Sequence, residues 1–247
     1  MQEQVIIVTG AGQGIGSEIA RTLHTRGCRL ALMSPSTRSE ALAAELGCLG
    51  LRGSVTNPDD LEALVSQTHA HFGRIDGVVN NCGHGPGTDG GTGPAYDPGY
   101  HRELIELTDD DWASGIDMML MSVIRLCRLV VPILRKQAAG SIVNISTFSA
   151  PEPRLNYPIS SAVRGALAGY TKLFTDCYSR YGIRMNNVLP GFIDNWPLSE
   201  DVYKYVPMGR PGSKGEVAST VAFLLSEEAS YITGQSLLVD GGVNRSV

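Results

Sequence analysis

The sequence is poor in cysteine and has no long apolar segment. Its five cysteines are scattered, and none belongs to a CxxC pair, which favours neither a disulfide framework nor a zinc site. No apolar run reaches the roughly 18 residues of a membrane-spanning helix. The N-terminal MQEQVIIVTG has no basic region followed by a long apolar one, so it does not read as a secretory signal.

Positive charge is also in short supply. The chain has 20 Lys and Arg against 25 Asp and Glu, a formal net charge of −5. This balance excludes a general electrostatic affinity for nucleic acid or anionic membranes. The 247 residues show neither an internal repeat nor a dividing linker. We therefore expect a single domain over residues 1–247. Because the cysteines are scattered and unpaired in the sequence, we also expect a reducing compartment, which means the cytoplasm.

Short apolar runs alternate with segments of helical length. The pattern predicts strands at 5–8, 29–33, 49–51, 76–79, 141–145, 184–188 and 236–239, and helices at 16–27, 38–46, 59–72, 112–135, 160–181 and 216–225. Continuous apolar strands separated by helices are typical of a parallel sheet covered on both faces. We predict an α/β fold with one doubly wound, Rossmann-type parallel sheet.

One stretch interrupts this alternation. Residues 84–99, HGPGTDGGTGPAYDPG, are rich in glycine and proline and have no periodicity. A loop of this length inside a compact domain is either a functional lid or simply mobile, and the sequence leaves both open. His84 and His101 flank it without a metal-ligand spacing, so no metal site is predicted.

The first predicted strand continues directly into TGAGQGIG at 9–16, and a helix follows. Glycines permit a tight turn and a close approach of the backbone to a pyrophosphate. The helix N-terminus then offers free N–H groups and the positive end of its dipole. A strand, a glycine-rich turn and a helix in this order predict a dinucleotide site.

With these motifs the chain resembles the short-chain dehydrogenase/reductase family. The turn matches that family's TGxxxGxG pattern, NNCG at 80–83 matches its NNAG, and NVLPG at 187–191 matches its N-x-x-PG region. The resemblance covers nearly the whole chain and implies a nicotinamide cofactor, a small-molecule substrate and a homodimer or homotetramer. It places the cofactor on Gly10, Gly12, Gln13, Gly14, Ile15, Gly16, Ser34, Ser36, Arg38, Ser54, Val55, Asn80, Cys82, Gly83, Pro190, Gly191 and Ile193.

The end of the second predicted strand bears on the choice of cofactor. NAD-preferring members usually have an Asp there, whereas this chain reads MSPSTR at 33–38. Hydroxyl groups and Arg38 could bind a 2′-phosphate that a carboxylate would repel. Gln13 stands where many NADP users have a basic residue, which is an argument against NADP. We expect NADP, with NAD as the alternative.

The family's catalytic residues are Asn, Ser, Tyr and Lys, with Tyr and Lys four apart on a helix. The spacing from residue 164 to the PG at 190–191 follows the family without a gap. This frame places Arg164 at the Lys position, Ser160 at the Tyr position and Thr147 at the Ser position. Met119 takes the Asn position, where we expect it to serve packing. All four usual residues are therefore changed.

Two arrangements could restore an active site. Tyr157 precedes Arg164 by seven residues, which is similar to the NY-x6-K spacing of enoyl-thioester reductases in this superfamily. Pro158 is compatible with a helix that begins there, with Tyr157 at its mouth. Arg164 would hold the ribose and favour phenolate, although it cannot pass on a proton. Alternatively, Thr147 and Ser160 bind the substrate oxygen and water supplies the proton.

These residues predict an NAD(P)(H)-dependent oxidoreductase that acts on a small carbonyl or alcohol, or on a conjugated enone. Residues 84–99 and 192–205 would shape its substrate pocket. A cofactor-binding protein without turnover, either a sensor or an inactive partner subunit, is the alternative. A non-redox lyase or dehalogenase on this scaffold is a weaker one, since such dehalogenases have lost the phosphate loop that this chain retains.

Overall fold

A computed structural model describes residues 1–83, 103–195 and 200–246. Its strands are β1 (Val5–Thr9), β2 (Arg29–Ser34), β3 (Leu49–Arg52), β4 (Gly77–Asn80), β5 (Gly140–Ile145), β6 (Ile183–Pro190) and β7 (Ser236–Val239). Its helices are α1 (Gly14–Thr25), α2 (Arg38–Leu46), α3 (Pro58–Phe72), α4 (Asp109–Ile116), α5 (Ser122–Gln137), α6 (Pro158–Tyr178), α7 (Glu200–Tyr203) and α8 (Lys214–Leu225).

The seven described strands form one sheet in the order β3-β2-β1-β4-β5-β6-β7. All neighbouring pairs are parallel, which confirms the predicted doubly wound α/β class. The chain leaves β1 toward β2 on one side and returns as β4 on the other. Such a reversal opens a crevice at the carboxyl ends of the strands, where these sheets bind ligands.

Two apolar layers cover the sheet because successive strand side chains point to opposite faces. Ile6 and Val8 pack with residues of α1 and α8 on one face. Ile7, between them, packs with residues of α3, α5 and α6 on the other. All three side chains are buried.

Local sequence signals set several helix ends. Asn57 caps α3 by accepting a hydrogen bond from Asp59 N at 3.1 Å, and Pro58 occupies the first turn. Ser213 and Glu216 form a capping box at the start of α8. Gly47 ends α2 in the left-handed region, with φ of 65°.

The prediction of one continuous helix over 112–135 is wrong, because the structure divides this stretch into two helices. A capping box on Thr108 starts α4 earlier, and a π-helical turn, Asp117–Met121, separates α4 from α5. A side chain at Gly115 would collide with Ile159 of α6, so glycine permits a close approach of the two helices. Met119 is buried beside Ile159 at this contact, as expected of a packing residue.

Candidate active site

The turn between β1 and α1 has the backbone that a phosphate-binding loop requires. Gly10 has φ of +60°, and a side chain there would collide with the backbone of Asn81. Asn81 Nδ2 donates to Gly10 O at 3.1 Å, which fixes the turn against the end of β4. Gln13 precedes α1 without capping it, and the first helical turn has no acidic residue. The positive end of α1 therefore has neither a capping side chain nor a carboxylate of its own, which suits it to an anion.

The residues predicted to surround the adenosine ribose lie together at the end of β2. Gly12 approaches Ser34, and a Cβ there would lie 2.7 Å from Ser34 Oγ. Ser34 Oγ donates to Ser36 O at 3.1 Å. Arg38, exposed at the start of α2, donates from Nη1 to Gln13 Oε1. The structure therefore joins the phosphate loop to a basic, hydroxyl-rich edge.

The other predicted cofactor residues follow the carboxyl ends of further strands. Ser54 N donates to Asp60 Oδ2 at 2.8 Å after β3. Gly191 N, just beyond β6, donates to Val239 O at 3.0 Å, and Ile193 forms a β-bridge with Gly212. Ile15, Gly14 and Gly16 begin α1, and Pro190 ends β6. The predicted cofactor residues thus lie along the carboxyl edge of the sheet, at or after the ends of β1, β2, β3, β4 and β6.

A chain of buried amides joins the strands beneath this crevice, and the sequence analysis missed it. Asn80 Nδ2 donates to Asn144 Oδ1 at 2.8 Å, and Asn144 Nδ2 donates to Asn187 Oδ1 at 2.9 Å. Asn187 Nδ2 continues to Ser236 Oγ at 3.1 Å, and Thr171 Oγ1 donates to Asn187 Oδ1 at 3.0 Å. The signal was an asparagine within each of three apolar strands.

Arg164 lies inside the protein, at the carboxyl end of β4. Only 6% of the residue is exposed, and Nη2 donates to Cys82 O. A Cβ on Gly83 would lie 3.0 Å from Nη2. Burial lowers the pKa of Arg164 to about 10, so the guanidinium is charged at neutral pH. These contacts exclude the surface position that an arginine usually occupies.

A small cavity adjoins this guanidinium. Its polar lining comes from Thr9, Asn80, Cys82, Ser122 and Arg164. Burial raises the pKa of the Cys82 thiol, which keeps it protonated at neutral pH and disfavours a nucleophilic role. Cys82 Sγ instead contacts Thr9 Oγ1 at 3.5 Å. Val55 and the methionines Met118 and Met119 complete much of the apolar lining.

The proposed catalytic residues lie on α6 and on the segment that joins β5 to α6. Thr147 follows β5, is half-buried, and shares a 3.2 Å hydrogen bond with Ser149 Oγ. Tyr157 is the N-cap residue of α6, a position that Pro158 is compatible with, and packs against the cluster of Phe148 and Phe192. Ser160 is half-buried in the first turn of α6, four residues before Arg164.

The segment after Thr147 is held by the C-terminal part of the chain. Asn244, which is 9% exposed, donates from Nδ2 to Phe148 O at 2.8 Å. Glu152 Oε2 accepts from Arg245 N at 2.8 Å. Arg154 stacks over the Phe148 ring at 4.9 Å. We did not predict the two hydrogen bonds, because they join residues more than 90 positions apart.

The pocket walls predicted at 84–99 and within 192–205 are described only in part. Residues 84–102, including both histidines that flank the loop, and residues 196–199 lie outside the described ranges. Within those ranges, no group of three or more His, Cys, Asp and Glu is placed to hold a metal ion. Within the same residues, no helix has the length and apolar character that crossing a bilayer requires.

The strand order and the phosphate loop define a Rossmann-type α/β protein. A family model described as enoyl-(acyl carrier protein) reductase matches residues 10–244. The chain is 34% identical over 252 aligned residues to a Salmonella typhimurium 3-oxoacyl-(acyl-carrier-protein) reductase, covering 97% of each protein. The Escherichia coli enzyme of that name is 33% identical, with the same coverage.

A rabbit (Oryctolagus cuniculus) L-fucose dehydrogenase is 34% identical over 256 residues, which cover 97% of this chain and 84% of that protein. The chain belongs to the short-chain dehydrogenase/reductase family of oxidoreductases. This confirms the resemblance drawn from the motifs and supports NAD(P)-dependent oxidoreduction. The matched range includes the phosphate loop, Arg164 and the end of β6.

Proposed function

We propose that the protein transfers hydride between NADP(H) and a small organic carbonyl compound, its alcohol or a conjugated enone. The main support is the position of Arg164. A permanently charged side chain reaches the end of β4 from the helix that also has Tyr157 and Ser160 at its start. Family membership supports the cofactor class, and the uncapped N-terminus of α1 is suited to its diphosphate.

The basic edge at the end of β2 supports NADP rather than NAD. Ser34, Ser36 and Arg38 offer hydroxyl, backbone and guanidinium groups and no carboxylate. A 2′-phosphate there would accept charge-assisted hydrogen bonds that an unphosphorylated ribose cannot fully use. NAD is the second candidate, since Gln13 replaces a basic residue in the phosphate loop.

In this mechanism the bound nicotinamide supplies or accepts the hydride. Tyr157 polarises the substrate oxygen and donates its phenolic proton as that oxygen gains negative charge. The Arg164 guanidinium binds the nicotinamide ribose and favours the phenolate by its charge. Thr147 and Ser160 donate hydrogen bonds to the substrate oxygen. Because Arg164 does not release a proton near neutral pH, solvent reprotonates Tyr157 directly.

The matching family is named for enoyl reduction, and the relatives are named for 3-oxoacyl reduction and for dehydrogenation of a sugar. All involve a carbonyl, an alcohol or a double bond conjugated to a carbonyl. The spacing of Tyr157 and Arg164 is similar to that of the enoyl-thioester reductases, and this resemblance favours hydride entry at a carbon conjugated to a carbonyl. We keep both ketone and enone reduction within the proposal for this reason.

Turnover in two single variants tests the proposal. Purified protein with NADPH or NADH is screened against ketones, quinones and enones by the loss of nicotinamide absorbance. We expect turnover that falls by about 10²-fold or more in Tyr157→Phe, the size of a general acid contribution, and persists in Ser160→Ala. The reverse pattern would assign the oxygen-binding role to Ser160. Coenzyme binding without oxidation across the panel would favour a sensor or inactive subunit.

We also infer that the chain is a single domain that forms a homodimer or homotetramer. Leu173, on α6, is 69% exposed, and Ile116, at the end of α4, is 40% exposed. Apolar side chains on such helices are suited to burial against a second copy. Light scattering on the purified protein measures the mass of the assembly directly.

A further inference from the structure

Ser149 is a buried serine two residues after Thr147, and the proposed mechanism does not use it. Its exposed fraction is 0%, and its Oγ shares a 3.2 Å hydrogen bond with Thr147 Oγ1. Its backbone N–H donates to the same threonine oxygen at 3.4 Å. Within the described part of the chain, the Ser149 side chain has no other hydrogen-bond partner. Ser149 therefore contacts a proposed substrate-binding hydroxyl twice, through its side chain and through its backbone.

The backbone around this pair is held by hydrogen bonds of its own. Phe148 N donates to Pro190 O at 3.1 Å, which attaches the segment to the end of β6. Ala150 N donates to Thr147 O at 3.1 Å and closes a turn. Because the turn is attached on both sides, the serine inside it stays at hydrogen-bond distance from the threonine hydroxyl.

The direction of the hydrogen bond between the two hydroxyls follows from their burial. A hydroxyl has one hydrogen to donate and two lone pairs that accept. If Thr147 donated, the hydroxyl hydrogen of Ser149 would be buried without an acceptor, which costs free energy. If Ser149 donates, its hydrogen is satisfied, and the hydrogen of Thr147 is left for another acceptor. Thr147 is only half-buried, so the second direction leaves its hydrogen available to a bound molecule.

We infer that Ser149 is a positioning residue that makes Thr147 a hydrogen-bond donor to the substrate oxygen. This inference rests on the proposed function, in which Thr147 binds that oxygen. A hydroxyl that accepts a hydrogen bond becomes a stronger donor, because hydrogen bonds in a chain polarise one another. The substrate oxygen gains negative charge during reduction, so a stronger donor stabilises the transition state more than the bound substrate. Ser149 should therefore affect kcat rather than KM.

Ser149→Ala tests the inference by a comparison of kcat with KM. The assay uses NADPH and the ketone, quinone or enone of the panel that the wild type reduces fastest. We expect kcat to fall about fivefold, the factor that one neutral hydrogen bond gives, and KM to change by less than about twofold. Ser149→Cys keeps a weak S–H donor at this position and should recover part of the lost kcat.

A double-mutant cycle with Thr147→Val separates a role through Thr147 from a role in the fold. Valine is similar in shape to threonine but has no hydroxyl group. If Ser149 acts through Thr147, Ser149→Ala should lower kcat in the wild type but not in Thr147→Val. If Thr147→Val is too slow to measure, the comparison of kcat with KM and the recovery in Ser149→Cys decide the matter.

Ser141→Ala is the matched control for loss of a buried hydroxyl. Ser141 is 3% exposed and lies near the amino end of β5, where its Oγ donates to Leu224 O at 3.0 Å. The substitution should leave kcat and KM at their wild-type values. Circular dichroism confirms that each variant is folded. If Ser149→Ala does not fold, Ser149→Cys replaces it in the cycle, because its weaker donor should also lower kcat only where Thr147 is present.

An unchanged kcat in Ser149→Ala would overturn the inference. An equal loss of kcat in the wild type and in Thr147→Val would also overturn it, and so would a loss of the same size in Ser141→Ala. The proposed function is tested separately by the wild type. If the wild type turns over no compound of the panel with either coenzyme, the proposed function fails and the inference fails with it. If the wild type is active and Ser149 has no effect on kcat, the inference alone fails.

Discussion

Arg38 and Gln13 meet where the ribose of the coenzyme is expected, and their contact gives the cofactor preference a test on single residues. Arg38 donates to Gln13 Oε1 across the edge of the site. A 2′-phosphate would offer this guanidinium a charged acceptor in place of a neutral amide oxygen. Charge-assisted hydrogen bonds contribute about 1.5–3 kcal/mol, so loss of the guanidinium should weaken NADPH binding.

Arg38→Leu should raise the Kd for NADPH about tenfold or more and leave the Kd for NADH nearly unchanged, measured by quenching of intrinsic fluorescence. Arg26→Leu, at the exposed C-cap of α1, is the control for removal of a positive charge. An equal loss of affinity for both coenzymes, or tighter wild-type binding of NADH, would contradict the NADP assignment.

Single residues also show where prediction from sequence succeeds. A tight glycine-rich turn was predicted at 9–16, and Gly10 and Gly14 have the positive φ that such a turn uses. The helix predicted at 160–181 begins two residues earlier, at Pro158, a start that the sequence allowed because the fixed φ of proline suits the first turn of a helix. In these cases a covalent property of one residue type decides the local structure.

The burial of Arg164 could not be predicted from the properties of single residues. The motif spacing located its position in the chain, but its burial depends on packing of the π-helical turn and β4 against α6. The contact from Asn244 to Phe148 likewise joins distant segments, and no local pattern predicts it. Whether the predicted site residues act together remains a prediction that the variants above test.

At the scale of elements, the sequence predicted each strand of the sheet and most helices, because short continuous apolar runs and 3.6-residue periods are local signals. The boundaries differ by a few residues. The division of α4 from α5 was missed, because both helices and the π turn between them have the same helical periodicity. The short α7 was missed too, since four residues are too few for a periodic signal.

The segment from Thr147 to Tyr157 gives the prediction at this scale. Asn244 is a positioning residue, because its amide holds Phe148 O, directly after Thr147. Asn244→Ala should speed amide hydrogen exchange at 148–154 and lower kcat/KM about tenfold, since small displacements of positioning groups are costly to catalysis. The Kd for coenzyme should be unchanged, because the phosphate loop lies on other elements.

Arg245→Ala is the matched control for this clamp. It removes an exposed side chain of the same segment but keeps the backbone N–H that donates to Glu152. Its exchange rates and kcat/KM should remain those of the wild type. If Asn244→Ala weakens coenzyme binding as much as it lowers kcat/KM, the residue supports the fold as a whole rather than the substrate segment.

For the whole molecule, the buried amides give the sheet a polar connection within an apolar core. Asn80, Asn144 and Asn187 bridge β4, β5 and β6, and Ser236 extends the bridge to β7. The strands match in register at each of these positions. An offset of one residue would turn these side chains to the other face, so the amides favour a single register.

Asn144 is the centre of this connection, so its loss should lower the stability of the whole sheet. Asn144→Ala leaves Asn80 Nδ2 without its acceptor and removes one of two donors from Asn187 Oδ1. A buried unsatisfied polar group costs about 1–3 kcal/mol, and the void adds to that. We expect the free energy of unfolding to fall by about 3 kcal/mol, measured by urea unfolding with circular dichroism and tryptophan fluorescence.

Asn57→Ala is the control variant. It removes only the cap of α3 and should lower the free energy of unfolding by about 1 kcal/mol. The two optical probes should report one shared transition in Asn144→Ala, because the amides connect strands from the middle of the sheet to its β7 edge. A loss no larger than that of Asn57→Ala would show that apolar packing alone determines the register of these strands.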